Sequence, residues 1–252
     1  MKKMYDIIWL DSTDSTNNEA IRNLHKFDKM KVIAAKNQTA GRGQRGNKWS
    51  SKDGENLTFS ILLHFGDNDR GGLRAADQFA ISEVATLSLV EFLGNMDIDS
   101  SIKWSNDIYV GNRKISGMLI ENSLNKDMVS TSVIGIGLNV NQLSFPENLP
   151  NPVSMAQLSG KKYDCEDLLI QFMDIFSKYL DYCFDHKGRM TLRNMFIDKM
   201  YRKDTCSMFT NLRTGEKFEG IIRGISDLGL LAIENNKGEI LKFGFKEIAF
   251  II

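Results

Sequence analysis

The stretch QTAGRGQRGNKW, residues 38–49, carries Gly41, Gly43 and Gly46 in the pattern G-x-G-x-x-G, together with two arginines. This pattern suits a loop that binds the pyrophosphate of a dinucleotide, a basic loop that binds nucleic acid, or an exposed surface loop. A dinucleotide loop needs a helix directly after the glycines, because the helix N-terminus receives the pyrophosphate. The residues that follow, NKWSSKDGENLTFSILL, predict a turn and then a strand. This context argues against the dinucleotide loop.

The composition limits the classes of function further. Among 252 residues, 32 Lys and Arg balance 32 Asp and Glu, so no net charge draws the chain to nucleic acid or to a membrane. No apolar run approaches the roughly 20 residues that span a bilayer, and the N-terminus does not fit a signal peptide. The three cysteines and three histidines are scattered, so no disulfide framework or zinc site is indicated. We expect a cytoplasmic protein.

Apolar periodicity predicts the helices and strands. Helical spacing covers residues 15–27, 71–94 and 164–184, with Asp164 as N-cap of the last helix and a single apolar face on the second. Strand patterns cover residues 4–12, 32–36, 56–65, 101–104, 107–110, 113–121 and 129–141. The pattern of 56–65 indicates one buried face, and Gly111-Asn112 suits a two-residue hairpin turn. This order predicts an α+β protein with an antiparallel or mixed sheet.

The pattern changes at about Lys203. Short strands with Gly and Asn turns between them are predicted at residues 206–210, 217–226, 229–235 and 239–244. Such spacing is typical of a small β-barrel-like domain of about fifty residues. We therefore expect two domains, a larger α+β domain at 1–200 and a β domain at 203–252.

Several polar residues could act together with the glycine loop. KWSNDIYVGNRK places Lys103, Asn106, Asp107 and Lys114 on two strands and their connection, although each lysine alone fits a solvated strand edge. Cations of this kind complement phosphate or carboxylate oxygens, as arginines in a glycine-rich loop also do.

Gly135 and Gly137 leave one face of a strand bare in GIGLNVN. A bare face allows either close strand packing or room for a ligand beside the sheet. Both alternatives stay open from the residues alone.

Five blocks, taken together and in order, resemble the biotin protein ligase family: STN (15–17), QTAGRGQRGNKW (38–49), KWSND (103–107), RKISGMLIE (113–121) and GIGLNVN (135–141). The resemblance covers the first two-thirds of the chain. It implies a class II synthetase-like catalytic domain, built as a mixed sheet with helices on one side, followed by an SH3-like β-barrel.

The resemblance also implies a reaction in two steps. The biotin carboxylate attacks the α-phosphate of ATP, with Mg²⁺, to give biotinyl-5′-AMP and diphosphate. A lysine of a biotin carboxyl carrier protein, from acetyl-CoA carboxylase or a related carboxylase, then takes the biotin and releases AMP. No residue is assigned to the metal.

The residue roles follow from matching positions. The implied catalytic residues are Lys114, which would bridge carboxylate and α-phosphate, and Arg42, which would hold the phosphate. The implied biotin-binding residues are Ser15, Thr16, Asn17, Gln38, Gly41, Arg42 and Gly117. The implied ATP- and adenylate-binding residues are Arg45, Trp49, Lys103, Asn106, Asp107, Lys114 and Asn139.

The chain departs from the family pattern at three positions. Gln44 and Asn47 stand where many members carry arginine, and Ser105 replaces a proline. The first two changes remove positive charge from the loop that covers the ligand. We therefore expect the adenylate intermediate to escape faster than from an arginine-bearing loop.

Other functions are compatible with the same residues. A related ligase could activate lipoate or another fatty acid, and a non-catalytic module could bind biotin or the carrier domain. Some family members repress biotin synthesis through an N-terminal helix-turn-helix domain. Here the ligase pattern begins within about ten residues of Met1, so we expect no DNA partner. Family members occur as monomers and dimers, which leaves a homodimer open.

Overall fold

The computed structural model describes residues 5–26, 30–66 and 72–251, without the side chain of Arg45. The strands of the first part are β1 (Asp6–Thr13), β2 (Lys31–Gln38), β3 (Leu57–His64), β4 (Leu73–Arg74), β5 (Ser101–Lys103), β6 (Asp107–Val110), β7 (Arg113–Asn125) and β8 (Met128–Leu138). The helices are α1 (Thr16–Arg22), α2 (Phe79–Gly94), α3 (Met155–Ser159), α4 (Cys165–Leu180) and α5 (His186–Asp198).

The main sheet has the strand order β1-β2-β3-β8-β7-β6-β5, and β4 pairs with β8. β1 and β2 are parallel, and the other neighbours are antiparallel. The parallel pair follows from the connection, because α1 lies between these two strands in the chain and two parallel strands require a crossover. The predicted mixed sheet is confirmed.

Helices cover both faces of this sheet. Ile33, Leu62 and Val133 from β2, β3 and β8 pack with Ala20 of α1 in a small separate cluster. The alternate residues of the same strands belong to the large core with α2 and α4. The expectation of helices on one side is therefore wrong for α1, since it has to cross a face of the sheet to connect β1 with β2. Because β3 is covered on both sides, it is buried on both faces rather than one.

The second predicted helix begins later than expected and is more buried. Residues 73–77 form β4 and a 3₁₀ turn, so α2 starts at Phe79. Nearly every side chain of α2 is buried, which contradicts the single apolar face. Two of its hydroxyl groups are satisfied within the helix: Thr86 Oγ1 donates to the Ser82 carbonyl at 2.7 Å, and Ser88 Oγ to the Val84 carbonyl at 2.7 Å. The third, Ser82 Oγ, donates to the Ser105 carbonyl at 3.3 Å. Small hydroxyl residues can thus occupy a core helix without unpaired groups.

The predicted cap of α4 is confirmed, because an Asp164 carboxylate oxygen accepts from the backbone N–H groups of Glu166 and Asp167 at 2.8 and 3.0 Å. The predicted turn at Gly111-Asn112 joins β6 to β7. No helix in the described parts of the chain is long and apolar enough to cross a bilayer.

A second sheet follows α5. Its strands are β9 (Cys206–Asn211), β10 (Lys217–Ile225), β11 (Leu231–Asn235), β12 (Ile240–Phe243) and β13 (Ile248–Phe250). It is antiparallel, with the order β12-β11-β10-β9-β13. β12 and β13 do not pair with each other within the described residues, so this SH3-like sheet is not a closed barrel. The division into domains at 200–203 stays a prediction.

Trp104 and Arg193 are among the residues that join the second sheet to the first part of the chain. Trp104 Nε1 donates to the Gly229 carbonyl at 3.0 Å, and the Trp104 ring stacks on Phe245 with centroids 5.1 Å apart. Arg193 of α5 donates from Nη1 to the Ser226 carbonyl at 2.6 Å and pairs with the fully buried Glu83 of α2.

Candidate functional site

A cavity of about 330 Å³ lies on the α1 side of the main sheet. The predicted site residues among its lining are Ser15, Thr16, Asn17, Gln38, Arg42, Trp49, Lys103, Asn106, Asp107, Lys114 and Gly117. Gly41 and Asn139 are not among the lining residues, and the side chain of Arg45 lies outside the described part. The structure therefore brings together most of the residues that the sequence picks out.

Sheet register places the charged residues on this face. Gly117 pairs with Gly137 and Asp107, and Asp107 pairs with Lys103, so these side chains share one face. Lys114 is three residues before Gly117 and would normally point the opposite way, because side chains alternate along a strand. A register shift opposite Ile108 and Tyr109 inserts one extra residue and returns Lys114 to the cavity face.

Segment 151–153 fixes the backbone of Lys114. The Lys114 N–H donates to the Asn151 carbonyl at 2.8 Å, and its carbonyl accepts from the Val153 N–H at 2.9 Å. Asn139 Nδ2 donates to the Val153 carbonyl at 3.0 Å. Asn139 thus supports the strand that carries Lys114 instead of facing the cavity.

The start of α1 forms a buried polar network. Gln38 Oε1 accepts from the Thr16 N–H at 2.8 Å, and Ser60 Oγ lies 2.6 Å from Asn17 Oδ1 and 2.8 Å from Thr16 Oγ1. Ser15 occupies the N-cap position of α1, but its side chain makes no capping bond. A buried hydrogen-bond network of this kind holds its members in one geometry.

Arg42 is held by a partner that sequence reasoning missed. Its Nη2 lies 2.7 Å from Glu121 Oε1 and its Nη1 lies 3.1 Å from Glu121 Oε2, a two-point pairing. Nη1 also donates to Asn18 Oδ1 at 2.8 Å. Glu121 further accepts from Asn17 Nδ2 at 2.9 Å and so links the loop to α1. Its position at the end of the RKISGMLIE block was the available signal.

Main-chain hydrogen bonds close the glycine loop at its base. The Trp49 N–H donates to the Gly41 carbonyl at 2.9 Å, and the Gly43 N–H donates to the Asn47 carbonyl at 2.7 Å. A Cβ on Gly41 would lie 2.5 Å from the Trp49 carbonyl oxygen. Gly41 thus allows the two ends of the loop to approach each other, because any larger residue would separate them.

Side chains of the protein itself cover the bare face of β8. A Cβ on Gly135 would lie 2.0 Å from Asn17 Oδ1, and a Cβ on Gly137 would lie 2.2 Å from the Trp49 ring. Both glycines thus permit close packing, and the side chains that pack on them, Asn17 and Trp49, form the cavity wall.

Two lysines of the cavity, Lys103 and Lys114, differ in whether a carboxylate pairs with the ammonium group. Lys114 Nζ lies 2.7 Å from Asp107 Oδ1. Lys103 Nζ has no carboxylate oxygen within 4 Å among the described residues, and it donates to the Tyr109 hydroxyl at 3.1 Å. Burial lowers the pKa of Lys103 to about 8, since desolvation disfavours the charged amine.

Comparison with known proteins shows the family to which the chain belongs. Residues 9–139 match the model of the biotin/lipoate A/B protein ligase family. The bifunctional ligase/repressor BirA of Bacillus spizizenii is 30% identical over 236 residues, covering 91% of this chain and 68% of that protein. The chain belongs to the biotin/lipoate A/B protein ligase family.

Two further members of this family match nearly their whole length. The biotin–[acetyl-CoA-carboxylase] ligase of Paracoccus denitrificans is 30% identical over 236 residues, covering 91% of this chain and 94% of that protein. The solved structure of the biotin protein ligase from Aquifex aeolicus, in complex with biotin and ATP, has a TM-score of 0.78 at 28% identity and covers 98% of both chains.

Enzymes that use ATP bind it together with a divalent cation, commonly Mg²⁺. No group of three or more His, Cys, Asp or Glu side chains that could hold a metal occurs in the described residues. Mg²⁺ at nucleotide sites is commonly held by one or two carboxylates together with phosphates. Asp107, which lines the cavity, suits such a shared site. The residues present thus fit a cation that is held largely by the nucleotide.

Proposed function

We propose that this protein joins biotin to a lysine of a biotin carboxyl carrier protein, using ATP, through biotinyl-5′-AMP. One observation carries the proposal: a single cavity combines a buried polar pocket at α1 with Arg42, Lys103 and Lys114. The similarity of the chain to biotin ligases, which share its fold and most of its length, supports this proposal. Mg²⁺ bound with ATP would neutralise phosphate charge, with Asp107 as its protein ligand.

In the first step, a biotin carboxylate oxygen forms a bond to the α-phosphorus, the bond to the bridging oxygen breaks, and diphosphate leaves with the electron pair. Both reactants are anionic, so fixed cations at the point of attack lower the barrier. We assign this role to Lys114, which would exchange its contact with Asp107 for the carboxylate and the α-phosphate. Arg42 would likewise exchange Glu121 for the phosphate.

In the second step, the neutral amine of the acceptor lysine forms a bond to the carbonyl carbon of the mixed anhydride. The bond from that carbon to the phosphate oxygen breaks, AMP leaves with the electron pair, and the amine nitrogen releases a proton to solvent. Asp107 would be released from Lys114 by the ligand and would then orient this incoming amine. Its side chain is about one-third exposed, as an approach from outside requires. We propose a biotin carboxyl carrier subunit of acetyl-CoA carboxylase, or of a related carboxylase, as the acceptor.

We assign the ring end of biotin to the polar network. Thr16 and Gln38 are held by hydrogen bonds to each other before any ligand binds, and the buried Ser15 lines the same cavity. A site built from fixed polar partners rejects acids that lack them, because its own groups would stay unpaired. Such a site favours biotin over lipoate, which has no ureido group.

Biotin-dependent exchange of labelled diphosphate into ATP tests the proposal. Exchange with biotin, and none with lipoate or octanoate, is expected. Lys114→Ala should abolish exchange while keeping biotin binding, and Lys187→Ala, an exposed lysine on α5, is the matched control. Exchange with lipoate alone would assign the chain to the lipoate branch. Biotin binding without exchange in the wild type would favour a binding module.

The same preparation addresses the remaining parts of the proposal. Sedimentation decides between monomer and homodimer, which the sequence leaves open. Fractionation of cells tests the proposed cytoplasmic location, where ATP and carboxylases are available. Expression of residues 1–200 alone, followed by thermal denaturation, tests the proposed division from the β domain at 203–252.

A further inference from the structure

The last strand of the second sheet reaches the cavity. Ile248, Ala249 and Phe250 of β13 are among its lining residues, beside the strands that carry Lys103 and Lys114. This segment lies outside the residues that match the family model. One wall of the cavity is therefore supplied by the second sheet.

Aromatic neighbours fix the ring of Phe250. Phe250 pairs with Phe209 across β13 and β9, and their ring centroids are 5.3 Å apart in an edge-on arrangement. Tyr201 lies on another side, at 6.3 Å between centroids. The next residue, Ile251, accepts from Arg202 Nη1 at 2.9 Å and anchors the end of the strand. The ring is thus held in one place.

Phe250 and Tyr109 form the surroundings of the Lys103 ammonium. Lys103 Nζ is 4.7 Å from the Tyr109 ring centroid and 5.3 Å from that of Phe250. The Tyr109 hydroxyl accepts a hydrogen bond from Lys103 Nζ at 3.1 Å. Aromatic faces attract a cation without neutralising it. In contrast with Lys114, which is paired with Asp107, this ammonium keeps its charge available to an incoming anion.

We propose that Phe250 is a positioning residue for adenylate formation: its ring holds the Lys103 ammonium at the cavity wall, where the phosphates of ATP bind. The inference rests on the proposed function and deepens it. It assigns the second sheet a part in nucleotide activation through one ring–ammonium contact. Loss of the ring then weakens ATP binding and leaves the biotin end of the cavity unchanged.

Three variants test this contact in the full-length protein. Phe250→Leu keeps an apolar side chain but removes the aromatic face, and Phe250→Tyr keeps the face. Phe218→Leu is the matched control, because Phe218 lies in the same sheet, packs 5.8 Å from Phe209 between ring centroids, and does not line the cavity. Should Phe250→Leu not fold, Phe250→Met replaces it.

The readout is biotin-dependent diphosphate exchange as a function of ATP, biotin and pH. For Phe250→Leu, we expect the KM for ATP to rise about 3- to 30-fold, the range of a cation–π contact expressed as affinity. The KM for biotin should change less than about twofold. In Phe250→Leu, the decline of exchange at alkaline pH should begin at a lower pH than in the wild type, because the Phe250 ring favours the charged form of the Lys103 amine. Phe250→Tyr should approach wild type, and Phe218→Leu should match it.

A double mutant separates the contact from general packing. In a Lys103→Gln background, Phe250→Leu should cause no further rise in the KM for ATP, since the cation is already gone. Equal losses in Phe250→Leu and Phe218→Leu, or an unchanged KM and pH profile in Phe250→Leu, would overturn the inference while the proposed function stands. Absence of biotin-dependent exchange in the wild type would overturn both.

Discussion

Replacing Gly135 with alanine tests how the buried polar network controls ligand binding. The added Cβ would lie 2.0 Å from Asn17 Oδ1, and Asn17 is only 3% exposed, so the amide has to move. Its present contacts are with Ser60 Oγ at 2.6 Å, Glu121 Oε2 at 2.9 Å and the Leu119 carbonyl at 3.2 Å. Two neutral hydrogen bonds at about 1 kcal/mol each and one to a carboxylate at about 2 kcal/mol give an upper limit of about 4 kcal/mol.

Urea denaturation should show a decrease of about 2–4 kcal/mol in the free energy of unfolding of Gly135→Ala. Titration calorimetry should show biotin binding weakened by about tenfold or more, since each tenfold step corresponds to about 1.4 kcal/mol. Gly94→Ala is the control: nothing lies within 4 Å of a Cβ at this position at the end of α2. Its stability should be unchanged or higher by up to about 1 kcal/mol.

Removing the Asn17 side chain provides a second test of the clash between a Cβ at position 135 and Asn17 Oδ1. Asn17→Ala removes the atoms that the new Cβ meets, so Gly135→Ala should cost much less in that background than in the wild type. Strict additivity of the two substitutions, or wild-type biotin affinity in Gly135→Ala, would show that Asn17 is not fixed as described.

Three further measurements address other parts of the molecule. Arg193→Ala leaves the fully buried Glu83 without its partner, and thermal or urea denaturation should show a loss of about 3–5 kcal/mol; a loss below about 1 kcal/mol contradicts this. Gln44→Arg adds a cation to the glycine loop, so release of adenylate without carrier protein should slow about 3- to 10-fold, and unchanged release refutes the charge argument. Because the pKa of Lys103 is lowered to about 8, its ammonium is present below that pH and lost above it; kcat/KM for ATP should therefore decline as pH rises through about 8, and a flat profile contradicts the role of this cation.

The local patterns predicted most of the main sheet. The strands before and after the glycine loop, the hairpin at Gly111-Asn112 and the cap at Asp164 all occur where spacing and turn chemistry indicate them. α5, in contrast, went unpredicted because its polar sequence HKGRMTLRNMFID buries only Gly188, Leu192 and Phe196. β13 has three residues, too few to show a period.

The site was predictable in its members but not in its contacts. Lys103, Asp107 and Lys114 are visible in the sequence as one cluster. The register shift that turns Lys114 toward the cavity depends on pairing with a neighbouring strand, and strand alternation alone would place it on the other face. The pairing of Arg42 with Glu121 joins residues 79 positions apart and depends on the same sheet geometry.

The way in which the glycine loop is closed separates the stability of the loop from the charge that its tip presents to a ligand. The hydrogen bonds at its base, from Trp49 to Gly41 and from Gly43 to Asn47, use main-chain atoms only. Substitution of the side chains at Gln44 or Asn47 therefore leaves these bonds in place. If Gln44→Arg slows release as expected, the charge of the tip residues can change how long the reactive anhydride is stored without lowering folding stability. A short storage time and a long one are then equally accessible to the same scaffold.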